Sequence, residues 1–300
     1  MIEKRVSFDF EIEFSNGGGI QGQGFRLDIL GEDIEDDALA DYIIKDMRLL
    51  MVGEVRILNK KIILEQHKRS KSNPNNEIEP GSVKKYIDLS HIISNEMITY
   101  KGLPAPIICD HLSHAQSREM YDEGTEFQFG RINMVGNTGT YLDTPYHRYP
   151  DGHDLSKLLL DKVSNIPGVV VRIGDINKRA IDWTNFASIN VNGMAVLIET
   201  GWAQHWGSDQ YFEGHPYLTE KAAIYLRDQG ATLVGIDSLN IDDTSTGSRP
   251  VHSILLREEI PIVEHLCNLH LLPPSGFHFS AIPPKIEKIG TFPVRAHAII

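Results

Sequence analysis

Val6-Ser7-Phe8-Asp9-Phe10-Glu11-Ile12-Glu13-Phe14 alternates apolar and polar side chains with period two, which predicts a half-buried strand. Ser15-Asn16-Gly17-Gly18-Gly19 is a turn signal, and Phe25-Arg26-Leu27-Asp28-Ile29 resumes the alternation as a second strand. Apolar residues then recur at helical spacing from Ala38 to Leu50, with Asp36 or Asp37 placed to cap the helix. Val55-Arg56-Ile57-Leu58 and Ile62-Ile63-Leu64 supply a last strand or hairpin, so residues 1–69 are expected to form a small α+β domain of ββαβ order. So small a unit has little apolar cover of its own, and it is expected to pack on the main domain or on a second subunit. Residues 70–84, with Asn73-Pro74-Asn75-Asn76 and Pro80-Gly81-Ser82, are polar and rich in helix and strand breakers, the composition of a linker.

From residue 85 to 300 the pattern changes. Tyr86-Ile87-Asp88-Leu89-Ser90 reads as an opening strand, and Val169 to Ile173, Ala195 to Thr200 and Leu233 to Asp237 are apolar runs of the kind buried on both faces. Gly201-Trp202 closes the second run with a turn, and Leu218 to Gln229 predicts a helix capped by Thr219. Strands interleaved with helices imply a mixed α/β core. No internal repeat interrupts it.

Composition narrows the picture. At 300 residues and 41% hydrophobic content the chain can bury one large core, or one large and one small. No run approaches the ~20 apolar residues of a membrane span. The amino terminus, Met1-Ile2-Glu3-Lys4-Arg5, lacks the form of a signal peptide. The two cysteines, Cys109 and Cys267, are too few for a disulfide framework and are expected as buried, reduced thiols, so a cytoplasmic location is the default. A formal charge of −12 argues against nucleic acid, and the basic clusters Lys60-Lys61 and His67-Lys68-Arg69 are explained by a solvated strand end. Gly17 to Gly19 lack the Lys-Ser/Thr and the helix of a phosphate loop. Most of the thirteen histidines, among them His205, His215 and His265, lie beside apolar or aromatic residues and are expected to be structural or exposed.

Candidate chemistry concentrates in Asn137-Thr138-Gly139-Thr140-Tyr141-Leu142-Asp143-Thr144-Pro145-Tyr146-His147. If the segment after Gly139 is extended, Tyr141, Asp143, Pro145 and His147 project from one face, and Pro145 makes an edge or irregular loop more natural than a central strand. A carboxylate and an imidazole on one surface can bind a cation or exchange protons near neutral pH. Taken alone, the same eleven residues also fit a turn capped by Asp143 with a solvated His147 beside it. Glu264 follows Ile260-Pro261-Ile262-Val263 and precedes Leu266-Cys267, a stretch that should be buried, where glutamate needs a partner or a ligand. Pairing with a basic residue, or a place in a solvated helix turn, are its ordinary alternatives. His252, ahead of Ser253-Ile254-Leu255-Leu256, is by itself equally a satisfied residue at a helix start.

The first stretch resembles the signature His-x-Gly-Thr-His-x-Asp-x-Pro-x-His of the cyclase family, which includes bacterial kynurenine formamidases and isatin hydrolase. Gly139, Thr140, Asp143, Pro145 and His147 match it, while Asn137 and Tyr141 stand where the family has metal-binding histidines. The resemblance runs from residue 85 to 300 and implies the swivelling β/β/α architecture. It also implies that Asp143, His252 and Glu264 hold a divalent ion, with His147 moving protons. Tyr141 is the second candidate for acid/base work. Tyr100, where members often carry a tryptophan against the substrate, and Asn137 are implied to bind substrate. Two carboxylates and one imidazole make a harder ligand set than the family's, shifting preference from zinc towards manganese or magnesium.

Three function classes follow. The first is a metal-dependent hydrolase of a small amide, lactam or related cyclic substrate. The second is a cyclase, dehydratase or lyase that works without metal, through His147, Tyr141 and Glu264. The third is a non-catalytic binding homologue. A small-molecule ligand, no nucleic-acid or membrane partner, at most one metal ion per chain and a homodimer or higher homo-oligomer are the accompanying expectations.

Overall fold

The computed structural model describes residues 2–29, 31, 33–47, 49, 51–66, 84–174 and 178–300. The chain divides into two compact units, Met1–Ser82 and Val83–Ile300. The expected linker, residues 70–84, lies outside the described residues except for Lys84, and the basic triplet 67–69 lies outside them entirely.

In the first unit, β1 (Ile2–Phe14), β2 (Gly19–Asp28), α1 (Asp36–Asp46) and β3 (Val52–Gln66) build an antiparallel sheet of order β2-β1-β3. Alternation along β1 puts Val6, Phe8, Phe10 and Ile12 into one core, which Leu39 and Ile43 of α1 complete. The last element is a single long strand. The break between its two apolar runs is a bulge, not a turn, because Asp9 accepts hydrogen bonds from Asn59 Nδ2 and Gly24 N, both at 2.7 Å, where the registers of β3 and β2 slip against β1. Helix α1 has Glu35 at its N-cap with no side-chain bond. Asp36 and Asp37 fall instead in its first turn, where carboxylates face the positive end of the helix dipole.

The second unit runs through β4 (Tyr86–Asp88), β5 (Ile107–Leu112), α2 (His114–Ser117), β6 (Phe129–Asn133), β7 (Tyr141–Asp143), α3 (Pro145–Arg148) and β8 (Ile166–Arg172). It continues with β9 (Ala180–Ile181), β10 (Ala195–Glu199), β11 (Tyr217–Leu218), α4 (Glu220–Asp228) and β12 (Leu233–Ile236). The last elements are α5 (Pro250–Arg257), β13 (Ile262–Glu264), β14 (Ser275–Ser280), β15 (Thr291–Pro293) and β16 (His297–Ile299). Nine strands form one mixed sheet in the order β15-β7-β13-β12-β10-β8-β14-β16-β4. Strands β8, β10, β12 and β13 run parallel and the flanking ones antiparallel. The apolar runs serve two cores at once. Val170, Leu197 and Val263 face one core, while Val169, Val171, Val196, Ile198 and Ile262 face the other, which α4 and α5 cover with Leu226, Val251 and Leu255. Burying each such side chain contributes about 1.5–3 kcal/mol, so the middle of the sheet is a rigid platform for whatever projects from its ends.

Three expectations are corrected. Only Tyr141 to Asp143 are extended in the signature segment. Pro145 then opens the one-turn helix α3, where its missing N–H costs nothing, so His147 stands four residues along a turn from Asp143 rather than on a shared strand face. Strand β7 is not an edge, since β13 and β15 flank it. Cys109 is exposed on β5, because among the described residues β5 and β6 pair only with each other and nearly all their side chains face solvent, while Cys267 is half-buried.

Candidate active site

Sheet register assembles the site. Tyr141 lies opposite Glu264 across β7 and β13, and Asp143 lies opposite Thr291 across β7 and β15. The close approach of β15 depends on two glycines: a Cβ on Gly290 would stand 2.3 Å from His147 N, and one on Gly136 2.3 Å from Thr291 O. Helix α5 delivers His252 over the same sheet ends. Asp242, in the loop after β12, accepts from Val251 N at 2.8 Å and His252 N at 3.0 Å, holding the first turn of that helix.

The same Asp242 meets His252 Nδ1 at 2.6 Å. A carboxylate there accepts from Nδ1–H and turns Nε2 towards Asp143 Oδ2 at 3.6 Å and Glu264 Oε1 at 3.7 Å. Asp143 Oδ2 is buried and has no hydrogen-bond partner among the described residues. Its other oxygen accepts from the Thr291 hydroxyl, which also lies 2.7 Å from His147 Nδ1. One hydroxyl has one proton. With that proton on Asp143, Thr291 must accept from His147 Nδ1–H, which leaves His147 Nε2 as an acceptor, and its half-exposed ring lines the pocket.

Glu264 is fully buried at the end of β13 and is paired, though not with a lysine or arginine: it accepts from Tyr141 Oη at 2.5 Å and Ile241 N at 2.6 Å, with His252 Nε2 3.7 Å away. Tyr100 Oη donates to Leu239 O at 2.5 Å and accepts from Asn240 Nδ2 at 2.8 Å, with Tyr141 Oη 3.3 Å away. Behind these two tyrosines sits His265, edge-on to both rings, with Nδ1 2.8 Å from Tyr211 Oη. Asn137 shares the pocket wall.

Burial and charge set the protonation pattern. For His252, burial alone would lower the pKa, but Asp143, Asp242 and Glu264 overturn this and hold it at about 10. Burial pushes Glu264 up to about 7, with Asp143 adding and His252 opposing. Burial would raise Asp143 too, yet the nearby imidazoles of His147 and His252 and the bond from Thr291 bring it below its ordinary value. Tyr141 and Tyr100 are pushed well above 10, first by burial and then by the Glu264 charge, so both stay protonated.

Every residue singled out from the sequence, Tyr100, Asn137, Tyr141, Asp143, His147, His252 and Glu264, lies in or directly behind one pocket. The pocket is about 440 Å³ and also takes in Lys101, Leu103, Arg148, Asn240 and Arg249. The donor atoms of Asp143, His147 and His252 lie within 4.8 Å of one another, a spacing that suits a metal ion. Sequence reasoning missed Asn240, Asp242 and Thr291. The first two were within reach, since polar residues just past the carboxyl end of a buried parallel strand are where α/β sites form. Nothing in the sequence around Thr291 marks it.

A mixed sheet whose strand ends converge imidazoles and carboxylates on a small polar pocket defines an α/β domain of the enzyme type. Residues 87–243 match the family model described as putative cyclase. Kynurenine formamidase from Geobacillus thermodenitrificans (strain NG80-2) is 31% identical over 179 residues, 58% of this chain and 81% of that protein. Kynurenine formamidase from Bacillus cereus (strain ATCC 14579) is 26% identical over 213 residues, 70% and 95% of the two chains. Among solved structures, an isatin hydrolase bound to the product analogue thioisatinate superposes with a TM-score of 0.61 at 21% identity, covering 72% of this chain and 92% of that one. A predicted metal-dependent hydrolase from Bacillus stearothermophilus gives 0.58 at 25% identity, covering 73% and 99%. The chain belongs to the cyclase family, and its second unit has that family's swivelling β/β/α fold.

Proposed function

We propose that this protein hydrolyses the C–N bond of a small amide, with one divalent ion held by Asp143, His252 and Glu264 and with His147 as general acid/base. The observation that carries the reading is the buried, unbonded Asp143 Oδ2 facing His252 Nε2, whose Nδ1 is already fixed by Asp242. Two carboxylate oxygens and, once an ion displaces its Nε2 proton, the His252 imidazole are a donor set around one point for a hard divalent cation, manganese, magnesium or zinc. Bound there, the ion would supply Lewis acidity and a lowered water pKa.

The chain's own groups account for the rest. His147 Nε2 takes a proton from the attacking water and returns it to the departing nitrogen as the C–N bond breaks, while Thr291 keeps the ring oriented. Asn137, on the pocket wall, can donate to the carbonyl oxygen as charge develops there. Tyr141 contributes differently. Its proton is committed to Glu264, and as a neutral phenol it is a poor ligand, which supports one ion per chain rather than two.

The 2.5 Å Tyr141–Glu264 bond and a Glu264 pKa of about 7 favour one second reading, an acid/base enzyme that needs no metal. Elemental analysis of protein purified without chelator, together with formanilide hydrolysis before and after chelation, separates the two. About one ion per chain, with activity lost on chelation and restored by manganese, is expected. Two tightly bound ions, or activity that survives complete metal removal, would overturn the proposal.

A further inference from the structure

The pocket's charge runs against that of the chain. The protein carries a net −12, yet the pocket lining includes three cations, Lys101, Arg148 and Arg249, and a single carboxylate, Glu264, which accepts from Tyr141 and Ile241. The three cations come from three different segments, and each lies in sequence beside a site residue: Lys101 follows Tyr100, Arg148 follows His147, and Arg249 precedes the helix that carries His252.

The arginines are held in place without being neutralised. Arg249 Nη1 donates to the carbonyls of Thr246 and Ser248 at 2.7 Å and of Asp243 at 3.2 Å, while among the described residues nothing accepts from its Nη2 or Nε. Arg148 Nε donates to Ser253 Oγ at 3.1 Å, and its guanidinium lies over the Tyr149 ring. Among the described residues no carboxylate pairs with either arginine. Lys101 is partly compensated by Glu213 at 3.6 Å, an exposed pair of small weight. An anchored guanidinium with free N–H groups is a preformed fork for a carboxylate, and two of them on a pocket of this size reverse the repulsion an anion meets from the rest of the molecule.

We infer that the substrate is an anion: an open-chain amide bearing a carboxylate that docks on Arg249 and Arg148 while its amide carbonyl lies at His147. This rests on the hydrolase reading and narrows it, because a neutral lactam can accept a hydrogen bond from the two arginines but brings no charge to match theirs. The matched probes are 2-formamidobenzoate, which one water splits into formate and 2-aminobenzoate, and neutral formanilide, which splits into formate and aniline. Wild-type protein is expected to prefer the anionic probe at least tenfold in kcat/KM, through KM. That ratio should fall towards one in Arg249→Met, in Arg148→Met and most of all in the double variant, with Arg249→Lys retaining part of it. Equal rates for the two probes, or a preference that survives the double substitution in protein of normal circular dichroism, would refute the inference while leaving the hydrolase reading standing. If neither probe turns over, the hydrolase reading is what fails, and calorimetry with benzoate and benzamide still decides the anion site. Benzoate bound by the wild type and lost in the double variant upholds it. Benzoate that does not bind, or binds both proteins alike, removes it.

Discussion

Thr291 has one hydroxyl proton and two neighbours, Asp143 Oδ1 and His147 Nδ1. That arrangement fixes which imidazole nitrogen is free, so the residue acts on the chemistry through His147 without touching the reacting atoms. Thr291→Val keeps the shape and removes the hydroxyl. Its kcat on a hydrolysed formamide is expected to fall by about 10–10²-fold, part of the ~10²–10⁴ associated with a lost general acid/base, and Thr291→Ser should restore most of it. His147→Ala is expected to lose turnover while keeping its ion, whereas Asp143→Ala should lose both. Metal content measured on the two variants checks this directly. If His147→Ala sheds metal as readily as Asp143→Ala, then His147 is a ligand that makes up for Asn137 and Tyr141, consistent with the nearness of its donor atom to those of Asp143 and His252.

Among the elements, the ends of β10 and β12 are joined by Asp237, whose buried carboxylate accepts from Thr200 Oγ1 at 2.5 Å, Thr200 N at 2.8 Å and Gly201 N at 2.9 Å. Burial outweighs these bonds and raises its pKa to about 6, against 3.8 for the free group. A carboxyl with a raised folded-state pKa binds its proton more tightly folded than unfolded. Its contribution to stability is therefore present below about pH 4 and is lost as pH rises to about 6, a change of roughly 2–3 kcal/mol. Denaturant titrations between pH 4 and 7 are expected to show this increment in the wild type and not in Asp237→Asn, and the difference between the two proteins isolates it from other titrating groups. A parallel dependence in both proteins would remove Asp237 as its source.

The same scale shows what was legible in the sequence. The apolar runs of β8, β10 and β12 and the alternation of β1 announce themselves, because their burial is written in consecutive residues. The signature from Asn137 to His147 was equally visible. The pairings that make it a site were not, since Tyr141–Glu264 and Asp143–Thr291 join positions 123 and 148 residues apart. A bulge at Asn59 likewise left β3 looking like two elements, because Asp9, which pins it, lies fifty residues away.

For the molecule as a whole, the two-stranded arm of β5 and β6 leaves Ile107 and Ile132 more than half exposed, with Ile108 and Phe129 also in solvent. An isolated pair of strands is marginal in water. Cover by a second copy is the economical solution, and a homodimer or higher homo-oligomer is expected in solution. Light scattering at high micromolar concentration checks it, and a monomer there would count against the expectation. Finally, the clamp formed by β15 has a bearing on how the protein comes into being. Pocket groups are drawn from Tyr100 onwards, but Thr291, the group that orients His147, follows all of them in the chain, and it must find a partner strand laid down far earlier. Translation can deliver every candidate ligand and still leave the imidazole unaligned. On the hydrolase reading, full turnover is expected only once β15 has paired with β7 and the edge of the sheet closes over Asp143.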